Sequence, residues 1–169
     1  MKNKQSVRIA TAAMFAALIT GVTFFPKIPI AGGGYVHLGD AVIYLAASFL
    51  PLPYAMAASA TGGMLADILS GYAAYVPFTV VAKALLAVFF SSKGNRILTK
   101  RNCLAPVAGI VVTVAVYFIA DVVFYGVAAA VPGMTWSVIQ AVASLIVFFI
   151  IAATADKARL KIKILSKFN

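Results

Sequence analysis

Four ionisable side chains stand inside otherwise apolar stretches of this chain: Asp40, Asp67, Lys83 and Asp121. On insertion scales such a group costs roughly 2.5–3.5 kcal/mol at the centre of a membrane helix, so it is kept where it faces the bundle interior, a partner charge or a solute. Lys83 is expected to pair with at least one of the aspartates. Their neighbours recur at helical spacing. Thr79 and Lys83 are four residues apart, as are Tyr117 and Asp121, Asp121 and Tyr125, and Trp136 and Gln140. That interval puts each pair on one helix face. Tyr35, Tyr72 and Tyr75 fall in connecting segments. Aromatic faces with a few directional polar groups suit a small planar ligand. For Trp136, Tyr72 and Tyr75 the competing reading is an interfacial aromatic belt.

The most polar connection is Gly32-Gly33-Gly34-Tyr35-Val36-His37-Leu38-Gly39-Asp40, which holds the only histidine of the chain. We expect Gly32, Gly33 and Gly34 to give a gating loop its motion. Tyr35 and His37 are expected to reach a ligand, and Asp40 to anchor the loop to the following helix. Other chemistries find little support. A single cysteine, Cys103, excludes an internal disulfide and a thiolate metal cluster. One histidine near one aspartate is weak evidence for a metal, and no metal or cofactor is expected. The glycine run lacks the Lys-Ser/Thr ending of a phosphate cradle, and no hydrolase motif occurs. Two alternatives stay open: an intramembrane enzyme using aspartates as acid and base, and a stand-alone carrier with an aspartate as proton site.

The elements that must position these groups are membrane helices. Hydrophobic residues make up 63% of the 169 and charged ones 11%, with a mean hydropathy of +1.02. A soluble domain carries about 25% charged residues. The pattern predicts an all-α integral membrane protein: one domain over 1–169, with six transmembrane helices near 7–25, 38–50, 54–69, 76–90, 104–130 and 136–154. The first is read as a retained helix and not as a signal peptide. Pro51-Leu52-Pro53, Ser70-Gly71-Tyr72 and Val131-Pro132-Gly133-Met134 are expected turns. Twelve of the fourteen basic residues lie before the first helix or at its start, between the fourth and fifth, and in the tail. With six spans those segments share one face, so the positive-inside rule predicts that both termini are cytoplasmic. The net charge of +10 then reflects topology, not nucleic acid. In the first helix, Ala12/Ala16 and Ala13/Ala17 are small-xxx-small pairs, which let another helix approach closely.

Several stretches together resemble a known family. They are Arg8-Ile9-Ala10-x-x-Ala13, Gly34-Tyr-Val-His-Leu-Gly-Asp40, Ala66-Asp-Ile-Leu-Ser-Gly-Tyr72, Tyr75-x-Pro-Phe-Thr79 and Lys83-Ala-Leu. The chain is similar to the substrate-binding subunit, or S component, of energy-coupling factor (ECF) transporters. The local motifs end at Lys83, and the second half matches in pattern only. The resemblance implies a non-enzymatic subunit in a prokaryotic cell membrane. It would capture a small heterocyclic vitamin or precursor outside. A transmembrane coupling protein and two cytoplasmic ATPases would then drive delivery inward. It implies that the loop between the first two helices caps the site and that Ala12, Ala13, Ala16 and Ala17 dock on the coupling protein. Substrate-binding residues would be Tyr35, His37, Asp40, Asp67, Tyr75, Thr79, Lys83, Tyr117, Asp121, Trp136 and Gln140. The likeness is greatest to the group for hydroxymethylpyrimidine, pyridoxine and queuosine precursors. Members taking thiamine, riboflavin, biotin or nickel are less similar.

Overall fold

The computed structural model describes residues 2–29 and 35–166, so the expected gating glycines 32–34 lie outside the described residues. The helices are α1 (Lys2–Phe24), α2 (Gly39–Phe49), α3 (Leu52–Ser70), α4 (Val76–Val88), α5 (Lys100–Tyr125), α6 (Val127–Lys157) and α7 (Leu160–Ser166). Short strands β1 (Ile28–Pro29) and β2 (Tyr35–Val36) pair antiparallel between α1 and α2, and a 3-10 turn, Ala73–Tyr75, precedes α4. Proline and glycine set most of the breaks. Pro51 precedes α3, Gly71 closes it at φ +82°, and Pro77 occupies the first turn of α4. These are the positions where a missing N–H or a left-handed backbone is tolerated.

This is an all-α integral membrane protein. Residues 4–24, α5 and α6 are each long and apolar enough to cross a bilayer. α2 is shorter and enclosed by the other helices. Its eleven residues extend only about 16 Å at 1.5 Å per residue, short of the roughly 30 Å hydrocarbon core. It packs against α1, α3, α4 and α6, and eight of its residues are buried. The helix that carries Asp40 is thus the centre of the bundle. Its Tyr44 stacks on Phe90 and meets Phe148 edge-on.

α1 lies against α3 at very close range. A Cβ added at Gly62 would stand 2.7 Å from Ile19 and 2.9 Å from the Ala16 carbonyl oxygen. The freed space lets the Thr20 hydroxyl donate to the Gly62 carbonyl at 3.1 Å. The alanine pairs divide between two faces of α1. Ala16 is buried and Ala12 half-buried within the chain's own core, whereas Ala13 and Ala17 are exposed. The two pairs are a residue apart, about 100° around the helix, so one faces in when the other faces out.

The boundary between the last two long helices also needs correcting. The sequence places a turn at Val131–Met134. The chain instead breaks at Gly126 (φ +82°, ψ 166°), and Pro132 lies inside α6. The break falls where glycine alone adopts the backbone comfortably. A single glycine in a Val-Ala run gives no other turn signal. α6 therefore begins nine residues earlier than expected, at Val127, and Trp136 sits in its third turn. The basic tail carries a further short helix, α7.

Candidate functional site

Chain order gathers the C-terminal ends of α1, α3 and α5 and the N-terminal ends of α2, α4 and α6 at one end of the bundle. A cavity opens there, lined by residues of β2, α3, the 3-10 turn, α5 and α6. Together with the open solvent at its mouth, the space amounts to about 550 Å³. Of the residues expected to bind ligand, Tyr35, His37, Asp67, Tyr75, Tyr117, Asp121, Trp136 and Gln140 line it. Val36, Tyr72, Gly133 and Ser137 complete the lining. Tyr72, which the sequence leaves open between belt and site, is in the lining. Ser137 and Gly133 were hidden by the misplaced turn; once α6 is extended, Gly133, Trp136, Ser137 and Gln140 follow from i, i+3, i+4 spacing.

Aromatic rings form the walls. Tyr35 lies 5.1 Å from Tyr72 and 5.6 Å from the His37 ring, and Tyr72 meets Tyr75 edge-on at 6.1 Å. Two carboxylates sit among them, each held by a tyrosine hydroxyl. Tyr35 donates to Asp67 Oδ1 at 2.8 Å, and Tyr75 donates to Asp121 Oδ1 at 2.7 Å. Burial, then the nearby Asp67 charge, pushes the Tyr35 hydroxyl well above its ordinary range, so it stays a donor. Gly133 makes room for Asp121: a Cβ there would stand 2.6 Å from Asp121 Oδ2.

Asp40, Thr79 and Lys83 do not line the cavity; they form the layer behind it. The Lys83 ammonium bonds directly to Asp40 Oδ1, and both side chains are sealed from solvent, at 1% and 0% exposure. Opposite charges at membrane depth find each other because each offsets the other's desolvation. Thr79 shares a hydrogen bond with the Tyr117 hydroxyl at 3.2 Å, and the Lys83 ammonium lies 5.4 Å from the centre of that same ring. Gln140 joins the two layers. It faces the cavity, its Nε2 donates to Asp40 Oδ2 at 3.4 Å, and its Oε1 accepts from the His37 backbone N–H at 3.3 Å.

His37 is buried, and its Nδ1 accepts from the Gly39 backbone N–H at 3.0 Å. Burial, then Lys83, pushes its pKa down from 6.5 to about 3, against the opposing pull of Asp40. It is therefore neutral at physiological pH, with its proton on Nε2. Between pH 3 and 6.5 the unfolded chain holds a proton that the folded chain lacks. Acidification through that window removes stability, and above it His37 contributes no slope. We expect the His37→Asn protein, whose carboxamide can keep the i+2 bond, to lose part of the stability decline between pH 6.5 and 5. Thermal unfolding of both proteins across that range is the measurement; identical slopes would refute the assignment.

The opposite end of the bundle is basic and closed by a second polar cluster. Asn102 Nδ2 donates to the Ile97 and Ser91 carbonyls at 2.8 and 2.9 Å and approaches Ser48 Oγ at 3.2 Å. Its Oδ1 accepts from the Ser91 N–H at 2.8 Å. The Asp156 carboxylate accepts from the Ile97 and Leu98 N–H groups at 2.7 and 2.9 Å. The α4–α5 connection is thereby pinned to α2 and α6.

An apolar helical bundle with a polar, aromatic-walled cavity at one end has the form of a membrane protein that handles a small solute. Among curated proteins no match was found. The family model described as the ECF-type riboflavin transporter, S component, matches residues 3–157. The chain belongs to that family, whose members are substrate-binding subunits of transporters and not enzymes. The match runs well past Lys83, where the recognisable motifs end. The vitamin in the family's description is riboflavin, not one of the hydroxymethylpyrimidine, pyridoxine and queuosine-precursor group to which the motifs point.

Proposed function

We propose that this chain captures a small planar heterocycle in the cavity between β2 and α6 and hands it to a transport module across the membrane. The carrying observation is the cavity itself: clustered tyrosines and Trp136 around Asp67, Asp121 and Gln140, at the end of the bundle opposite the basic connections. Rings supply stacking area, and the carboxylates and carboxamide supply direction. In this reading Asp40, Thr79 and Lys83 brace the wall. Gly32, Gly33 and Gly34 let the loop before Tyr35 swing over the mouth. Six membrane passages, the short α2 completing one because it is enclosed by other helices and not by lipid, with both termini in the cytoplasm of a prokaryotic cell, agree with the placement of lysine and arginine. A coupling protein and two ATPases supply the energy, and the exposed Ala13 and Ala17 offer α1's small-residue face to the coupling protein. Riboflavin is the first ligand to test, because the family's description carries it. Hydroxymethylpyrimidine, pyridoxine and queuosine precursors follow from the motif resemblance.

The chain has one tryptophan, and it lines the cavity, so its fluorescence reports on the site. Titrating the detergent-purified protein with these four ligand types should quench Trp136 saturably with one of them. Vesicles should accumulate that ligand only when the coupling protein and ATPases are present with ATP. Uptake by vesicles holding this chain alone would overturn the subunit reading in favour of a stand-alone carrier.

A further inference from the structure

Among the described residues the lining of the cavity is acidic: His37, its one basic side chain, is neutral, and no cation balances the carboxylates. Asp67 and Asp121 both face the space. The Lys83 ammonium lies behind the wall and is engaged by Asp40. Lys27, the other cation at this end, sits outside the lining, its ammonium 4.6 Å from the centre of the Phe24 ring and 5.7 Å from that of Tyr35. Residues 30–34, which the described part omits, are Ile-Ala-Gly-Gly-Gly and carry no charge. Asp67 is 6% exposed; the Tyr35 and Thr79 side chains both bear on its carboxyl, and its Oδ2 is buried without a fully formed hydrogen bond among the described residues. A carboxylate oxygen left so, in a space walled by rings, has a strong unmet demand for a donor. Electron-rich faces of Tyr35, Tyr72, Tyr75 and Trp136 around it attract positive charge in the same sense, as aromatic cages do for ammonium groups.

We infer that the site selects a cationic heterocycle, one bearing an ammonium or a protonated ring nitrogen. The charged N–H group bonds Asp67 or Asp121, and the ring stacks between the tyrosines and Trp136. Acidic and phosphorylated heterocycles are rejected, because their charge would be desolvated against two carboxylates with no cation in the lining. This rests on the reading of the cavity as a solute site, and it narrows the ligand class beyond that reading.

The test is a matched set of aminopyrimidines differing in one substituent: aminomethyl (cationic), hydroxymethyl (neutral) and carboxylate (anionic). Riboflavin serves as a neutral reference. Trp136 quenching in the purified full chain should show the aminomethyl compound binding roughly tenfold or more tightly than the hydroxymethyl one, and no binding of the carboxylate. Asp67→Asn and Asp121→Asn, checked for folding by size exclusion, should reduce binding of the cation selectively and bring it toward the neutral compound. Even if neither variant folds, the order of affinities in the unaltered protein decides the matter. Equal or tighter binding of a neutral or anionic compound overturns the charge preference and leaves the solute site standing. Failure of every compound to quench overturns both.

Discussion

Replacing Lys83 with methionine should remove about 3–5 kcal/mol of stability, the scale found when one member of a buried ion pair is deleted. Asp40 would be left charged and 0% exposed at the heart of the bundle, with Gln140 Nε2 at 3.4 Å the one remaining side-chain hydrogen-bond donor to it among the described residues. The loss cannot be relieved by local rearrangement, because α2 is surrounded by α1, α3, α4 and α6. Lys83→Met combined with Asp40→Asn should recover most of it: no charge is then buried, and the carboxamide can still meet Gln140. A double-mutant cycle on thermal unfolding in detergent, followed by size exclusion, measures the coupling. The same cycle separates a bracing role from ligand contact. If Lys83 braces the wall, the double variant regains ligand quenching of Trp136 along with its stability. If Lys83 touched the ligand, stability would return without binding.

The second large effect is expected at the other end of the molecule. Asn102→Ala should cost about 3 kcal/mol. It leaves the Ser91 N–H and the Ile97 and Ser91 carbonyls without their side-chain partner, and each buried polar group so orphaned costs about 1–3 kcal/mol before water enters. The Thr99 side chain, which caps α5 by accepting from the Asn102 N–H at 3.2 Å, is retained in the variant. The helix should therefore persist while the connection before it loosens. Trypsin cleavage after Lys93 or Arg96 should accelerate well beyond that of the unaltered protein, and the melting temperature should fall. Ligand quenching of Trp136 at permissive temperature should be unchanged, since the cavity lies at the opposite end. Unaltered cleavage would show that Asp156, with its two bonds to the Ile97 and Leu98 amides, suffices to hold the segment.

These two sites mark where sequence reading succeeds and where it stops. The ionisable residues of the spans were legible because charge inside apolar sequence is costly wherever it falls. Asn102 was not, because an asparagine at a helix start looks like any loop residue until the chain has folded around it. The aromatic and acidic lining was largely legible, since spacing of three or four residues fixes which side chains share a face. Ser137 and Gly133 were not, because their face depends on α6 beginning at Val127, and that in turn depends on Gly126 alone.

By itself the sequence determined that this is a membrane-embedded helical protein. It also determined the segregation of basic residues and the family to which the Arg8–Lys83 motifs belong. Those follow from hydropathy, charge and short-range spacing, which are properties of the chain read a few residues at a time. The tertiary structure decided which aspartate Lys83 neutralises, and hence that Asp40 and Lys83 brace the cavity while Asp67 and Asp121 face it. It decided that Ala12 and Ala16 pack inward while Ala13 and Ala17 face out. It also made the shortest of the apolar segments, α2, the core of the bundle. Each of these is a choice of partner between segments far apart in the chain. It is settled by how closely backbones can approach, as at Gly62 and Gly133, and by the requirement that no buried charge be left without its counterpart.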